Sequence, residues 1–256
     1  MANEIKAKQN GSVALFGNDL QKGFENMTQD DMALPFIRIL GQLSPQVTDG
    51  DSKFIDGAKP GMVYNTVTND LFDGKKGIKV IPCYYKKDYP EWSDRGDGPG
   101  APVATHSPGS PVIQTGKRDG SKIRLPNGNY LEETAYYYVM VENKQGGYSP
   151  ALITMKSTQL SVSKKWNSMM KSVQIDDGKG GFAIPPMHGV VYNLASTLQK
   201  NDKGSWYGWV VTMDRILGQE DKSLYLTAKD FRGNVSNGNV QTKADVEEKN
   251  KDSTPY

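Results

Sequence analysis

Residues 134–141 read TAYYYVMV and residues 148–155 read YSPALITM, with Gly146-Gly147 between them. Both runs are rich in β-branched and aromatic residues, which suit a pleated surface, and a Gly-Gly turn at that separation joins two strands of a hairpin. Residues 157–173 (STQLSVSKKWNSMMKSV) follow, with Val162, Trp166, Met169, Met170 and Val173 at helical spacing. Ser157 is the expected N-cap of that helix. Beyond it, 189–198 (GVVYNLASTL) and 205–217 (SWYGWVVTMDRIL) read as two further strands turning at residues 201–204. Upstream, 78–85 (IKVIPCYY) reads as a strand in which Pro82, lacking an N–H, marks an edge position or a bulge. The order over residues 77–217 is then strand, long excursion, strand, strand, helix, strand, strand. An OB-fold barrel has that order. The expected fold is β-rich (all-β to α+β): an OB-fold-like barrel with one internal helix, a C-terminal helix and long loop insertions. A β-sandwich with a decorating helix is the alternative.

Outside these runs the chain changes character. Residues 1–30 are polar and read as a flexible arm with room for a short helix. Residues 34–40 (LPFIRIL) and 62–68 (MVYNTVT) read as strands, the second entered through a Pro60-Gly61 turn. Residues 88–133 form an irregular insertion whose Gly/Pro content excludes a regular helix or central strand, with a hairpin turn at Pro126-Asn127-Gly128. A last helix is expected over about 219–231, carrying Leu224, Ala228 and Phe231 on one face, and a disordered polar tail over 233–256. The expected domain is therefore 31–232.

Composition bounds the function. A formal charge of +2 excludes a polycation but leaves room for a local basic groove. Cys83 is the only cysteine, which excludes an intramolecular disulfide and argues against a thiolate metal site. The N-terminus has no apolar stretch of the signal-peptide kind, and no run approaches the roughly 20 apolar residues of a membrane-spanning helix. The expectation is a cytoplasmic protein with no membrane partner. His106 and His188 lack metal-ligand spacing, and no phosphate-binding loop or nucleophile elbow occurs. The acidic pairs Asp30-Asp31, Asp49/Asp51 and Asp176-Asp177 sit where carboxylates satisfy turn and helix-start backbone donors, although a magnesium-dependent nuclease could use such groups. No enzyme, no cofactor and no metal are expected.

What remains is cationic and aromatic. Between Lys75 and Arg124 there are ten basic and five acidic residues, interleaved with Tyr84, Tyr85, Tyr89 and Trp92. The stretch Lys156–Lys171 adds four lysines and no acid. Cations that follow phosphates and flat rings that stack bases are what a sequence-independent single-strand binder needs. The candidate residues are Lys79, Tyr85, Lys86, Lys87, Tyr89, Trp92, Lys122, Arg124, Tyr136, Tyr138, Lys164 and Lys165. They would line a groove formed by the first strand, the excursion and the Tyr136–Tyr138 strand. Alternation places Tyr136 and Tyr138 on one face and Tyr137 on the other, so part of this run must be core; Tyr207 and Trp209 share a face opposite Trp206. Trp166, on the apolar stripe of its helix, reads as core.

The phrases LPFIRILGQLSPQ (34–46), KPGMVYNTVTNDLF (59–72), GIKVIPCYYKKDYPEW (77–92) and STQLSVSKKWNSMM (157–170) resemble a group of tailed-phage early-region proteins. The resemblance implies single-stranded DNA binding in replication and recombination. The terminal Pro255-Tyr256 is similar to the tails through which bacterial and phage single-strand binders dock replication or recombination partners. The acidity of those tails is missing: from Lys243 on there are four acids and three lysines. Homo-oligomerisation is left open. The rival reading is a protein-interaction module, such as a virion component or an inhibitor of a host enzyme.

Overall fold

A computed structural model of the chain describes residues 15–19, 22–27, 32–94, 102–202 and 204–240. Two compact units divide it, Met1–Ala33 and Leu34–Tyr256. In the first, a 3-10 turn spans Gly17–Asp19, and Lys22 pairs with Asp19 at 2.5 Å. Most of the expected arm, and the tail beyond residue 240 with its terminal Pro255-Tyr256, lie outside the described residues.

The second unit opens with β1 (Ile37–Ile39), β2 (Val63–Asn65) and β3 (Leu71–Phe72), an antiparallel three-stranded sheet. β4 (Ile78–Trp92) is the longest strand. The excursion then contributes β5 (Ala104–His106), α1 (Pro111–Thr115), β6 (Lys117–Asp119), β7 (Lys122–Arg124) and β8 (Tyr130–Glu132). β9 (Thr134–Glu142), β10 (Tyr148–Lys156) and α2 (Leu160–Ser172) follow. A small hairpin, β11 (Ile175–Asp176) and β12 (Phe182–Ala183), precedes β13 (Val190–Asn201), β14 (Gly204–Ile216) and α3 (Lys222–Ser236).

The five long strands pair antiparallel in the order β14-β13-β4-β9-β10. This is the expected OB-like connectivity, with α2 between the third and fourth barrel strands. The sheet curls into a partly open barrel, and the stretch leading into β1 lies along β10: Phe36 bridges Leu152 in parallel, and the Leu152 N–H donates to the Pro35 carbonyl at 2.8 Å. Pro82 lies at a register shift between Pro82 and Tyr84, so of the two expectations it is the bulge that holds.

Two apolar layers explain why nearly all of TAYYYVMV is buried. Inside the curl, Val80, Tyr137, Ile153, Tyr192 and Leu194 meet Trp166 of α2. On the opposite face, Ile81, Tyr138, Met140 and Leu152 meet Ala228, Phe231 and Val235 of α3. A strand covered on both faces loses the polar half of its alternation.

Several boundaries differ from expectation. Ser157 is no N-cap: it stands at φ +52°, a 3-10 turn spans Ser157–Gln159, and no side-chain cap bond forms at α2. α3 runs on to Ser236 because Val235 still finds apolar cover, so the polar tail starts later than Gly233. The excursion also starts later, since β4 continues through Trp92, and its described part is folded. Buried Glu91 ties it together, accepting from Asn129 (2.6 Å) and Asn127 (3.1 Å) and meeting His106 at 2.7 Å. The β7–β8 hairpin turns through Pro126–Gly128 as expected, while residues 95–101 lie outside the described residues.

Two glycines join the small sheet to the barrel. Gly61, at φ +87°, carries the Tyr207 ring where a Cβ would stand (2.5 Å), and its carbonyl accepts from the Ser196 hydroxyl. Gly74 packs so tightly that an added Cβ would lie 1.7 Å from the Gly61 carbonyl oxygen. Backbone cannot yield there as a flexible side chain would. Gly74→Ala is expected to cost about 1–3 kcal/mol of stability, read as a lowered midpoint in urea unfolding; an unchanged midpoint would refute the contact.

Candidate functional site

A groove of about 470 Å³ opens on the barrel where β4, β9 and β10 run past the cover of α3. Its floor follows from strand periodicity. On β4, Lys86, Asp88, Pro90 and Trp92 fall on one face at two-residue spacing. Register then aligns Lys86 with Tyr136 and Tyr136 with Thr154 in one row, and Asp88 with Thr134 and Thr134 with Lys156 in the next. Glu132 of β8 adds a further carboxylate. β1 supplies one wall with Arg38, preceded by Phe36, and β14 another with Tyr207 and Trp209.

Each lysine on this floor has a carboxylate and a ring beside it, and Lys86 also has the Tyr138 hydroxyl. The Lys86 ammonium bonds the Asp88 carboxylate at 2.8 Å and lies 5.2 Å from the centre of the Tyr136 ring. The Lys156 ammonium bonds Glu132 at 2.8 Å and lies 5.9 Å from the Trp92 ring. Arg38 lies over Phe36 at 5.0 Å. Burial acts to lower the Lys86 pKa, but Asp88 and the Tyr138 hydroxyl outweigh it, so Lys86 is held above its ordinary value and stays charged. Burial, with Asp88 beside it, pushes the Tyr136 hydroxyl up to about 12, so this ring stays neutral.

Two donors of groove residues are without partners among the described residues, the Trp92 indole Nε1 and the Gln159 amide Nε2. Gln159 is held by its other end, where Oε1 accepts the Trp209 backbone N–H at 2.8 Å. Both nitrogens are buried beneath the groove surface, so they add no donor to its lining. The groove thus offers flat rings and ammonium groups. Nothing in it resembles a nucleophile with its base.

Of the twelve residues expected from sequence, Lys86, Trp92 and Tyr136 come together here. The others do not line the groove. Tyr85 and Lys87 take the opposite face of β4. Tyr85 packs on Tyr137 at 5.1 Å between ring centres, and Lys87 pairs with Glu133 at 3.1 Å and lies 5.9 Å from the Tyr89 ring. Tyr89 packs against a satellite cluster of Ile123, Leu125 and Leu131. Lys79 pairs with Asp214. Lys122 and Arg124 both lie over Tyr130, at 3.6 and 5.4 Å, and Arg124 also holds Asp94 at 3.0 Å. Lys164 and Lys165 are exposed on α2. Tyr138 is the clear correction: at 2% exposure under α3 it presents no ring face to a ligand.

Sequence reading missed Phe36, Arg38 and Gln159 as groove residues and passed over Lys156. The shared face of Tyr207 and Trp209 was the one available signal for β14. Two of the acidic pairs behave as turn residues: Asp177 accepts the Gly181 and Lys179 N–H groups, and Asp51 that of Lys53; Asp30-Asp31 lies outside the described residues. Among the described residues no three His, Cys, Asp or Glu side chains gather as a metal site would need, and no helix is long and apolar enough to cross a membrane.

Compared with known proteins, the chain matches one family model, described as Pam3 phage gp34-like protein, over residues 7–241. Neither a curated protein nor a solved structure matches it.

Proposed function

Since the chain belongs to the Pam3 phage gp34-like protein family, and so is a bacteriophage protein, we propose that it binds single-stranded DNA, without catalysis, in the host cytoplasm during phage replication or recombination. The observation that carries this reading is the groove floor, where two half-buried rings, Tyr136 and Trp92, each sit beside a lysine on an OB-like barrel. Bases stack on such rings whatever their sequence, and lysines meet the intervening phosphates. Tyr207, seated on Gly61, supplies a third ring from across the groove.

The number of groove cations fixes how the complex responds to salt. Arg38, Lys86 and Lys156 line it, so binding is expected to release about three counterions, a slope of roughly −2 in log K against log salt for single strands. Trp92 and Trp209 report the titration directly. Quenching by oligo-dT should give an affinity that falls roughly 16-fold between about 50 and 200 mM salt, with duplex of the same length binding more weakly. Protein that shows no affinity for oligo-dT at low salt, or that favours duplex, would overturn the proposal and leave a protein-interaction module as the better reading.

A further inference from the structure

The groove carries one device twice. Lys86 is shared between the Tyr136 ring and the Asp88 carboxylate, and Lys156 between the Trp92 ring and the Glu132 carboxylate. The register makes the repetition physical: Lys86 and Lys156 stand on the two outer strands of the floor, in adjacent rows, and each has its acid one step further along the same direction. A single strand arriving here asks for both neighbours of each lysine. A base needs the ring face that the ammonium overlies, and a phosphate needs the ammonium that the carboxylate holds.

We infer that Asp88 and Glu132 are resident competitors of the phosphate backbone, which hold Lys86 and Lys156 against the rings in the free protein and set both the affinity and the release of single-stranded DNA. This rests on the single-strand reading above. Binding swings each lysine from its carboxylate to a phosphate and frees the ring for a base. Each acid is then left facing a polyanion, and that repulsion opposes the complex. Among the described residues the ion pair of each acid is made with its lysine: the Asp88 carboxylate holds Lys86 and lies beside the Tyr136 hydroxyl, and the Glu132 side chain, 12% exposed, holds Lys156. A binder built for maximal affinity would carry amides at these positions. The acids make retention weaker and turnover along the strand faster.

The test is Asp88→Asn, Glu132→Gln and the double variant in the full chain, titrated with fluorescently labelled oligo-dT at several salt concentrations beside wild type. Asp230→Asn, the same charge change on α3 away from the groove, is the control for net charge. Each groove variant is expected to tighten binding by about 2- to 5-fold, the scale of an exposed ion pair. Dissociation should slow, and the double variant should lie near the product of the two. Asp230→Asn should change affinity less than twofold. If wild type binds oligo-dT but the groove variants bind no tighter than Asp230→Asn, the inference is overturned while the single-strand reading stands. If no form binds, both fall together. Unchanged urea midpoints for the two variants verify that the comparison concerns binding alone.

Discussion

Replacing Trp166 with alanine is expected to lower the free energy of unfolding by about 3–5 kcal/mol. The side chain is fully buried, stacks on Tyr137 at 4.3 Å with 25° between the planes, and meets the edge of Tyr192 at 5.7 Å. It thereby joins α2 to the second and fourth barrel strands, so its loss opens a cavity that no single element can close. Tyr137 would suffer indirectly, because its hydroxyl reaches the same helix through Ser163 and Asn167, at 2.7 and 2.9 Å. Domains of this kind are stable by about 5–15 kcal/mol in all, so one substitution removes a large share. Trp166→Phe should cost much less, since it keeps an aromatic in the stack and removes an indole N–H that has no described partner. Urea unfolding measures both. A Trp166→Ala cost below about 1 kcal/mol, far under the usual range for a buried aromatic, would mean that α2 does not plug the barrel.

That helix was the most legible part of the sequence. The spacing of Val162, Trp166 and Met170 needs only local geometry, and its place between two strand pairs fixed the OB-like order. What local pattern could not give was the second apolar layer. Tyr136, Tyr137 and Tyr138 alternate in direction, yet both faces of β9 are covered near Tyr138, because α3 returns from some 90 residues downstream. Tyr136, one two-residue step along the strand, packs against that layer but stays half-buried and lines the groove. The same non-local logic dispersed the cations. A charge count cannot tell that Lys86 and Lys87 point to opposite faces of one strand, or that Lys79, Lys87 and Arg124 each already hold a carboxylate from elsewhere in the chain. Phe36 and Arg38 enter the groove only because the stretch before β1 bridges β10, more than a hundred residues away in sequence.

The largest effect on binding is expected from the two floor rings. Trp92→Ala and Tyr136→Ala should each weaken oligo-dT binding by about 5- to 150-fold, the cost of about 1–3 kcal/mol for one lost base stack. Both rings line the groove and are half-buried, and both lie beside the lysine that would meet the neighbouring phosphate. Loss of either therefore removes a stacking platform and also frees its lysine to swing wide. Lys164→Ala and Lys165→Ala provide the contrast. They remove charge from α2 outside the groove, so they should weaken binding only slightly and leave the slope of log K against log salt nearly unchanged. The order of the four affinities separates groove binding from general attraction to a basic surface. Should the α2 lysines matter as much as the two rings, bases are not stacking on the β4–β9 floor, and the strand runs over another face of the barrel.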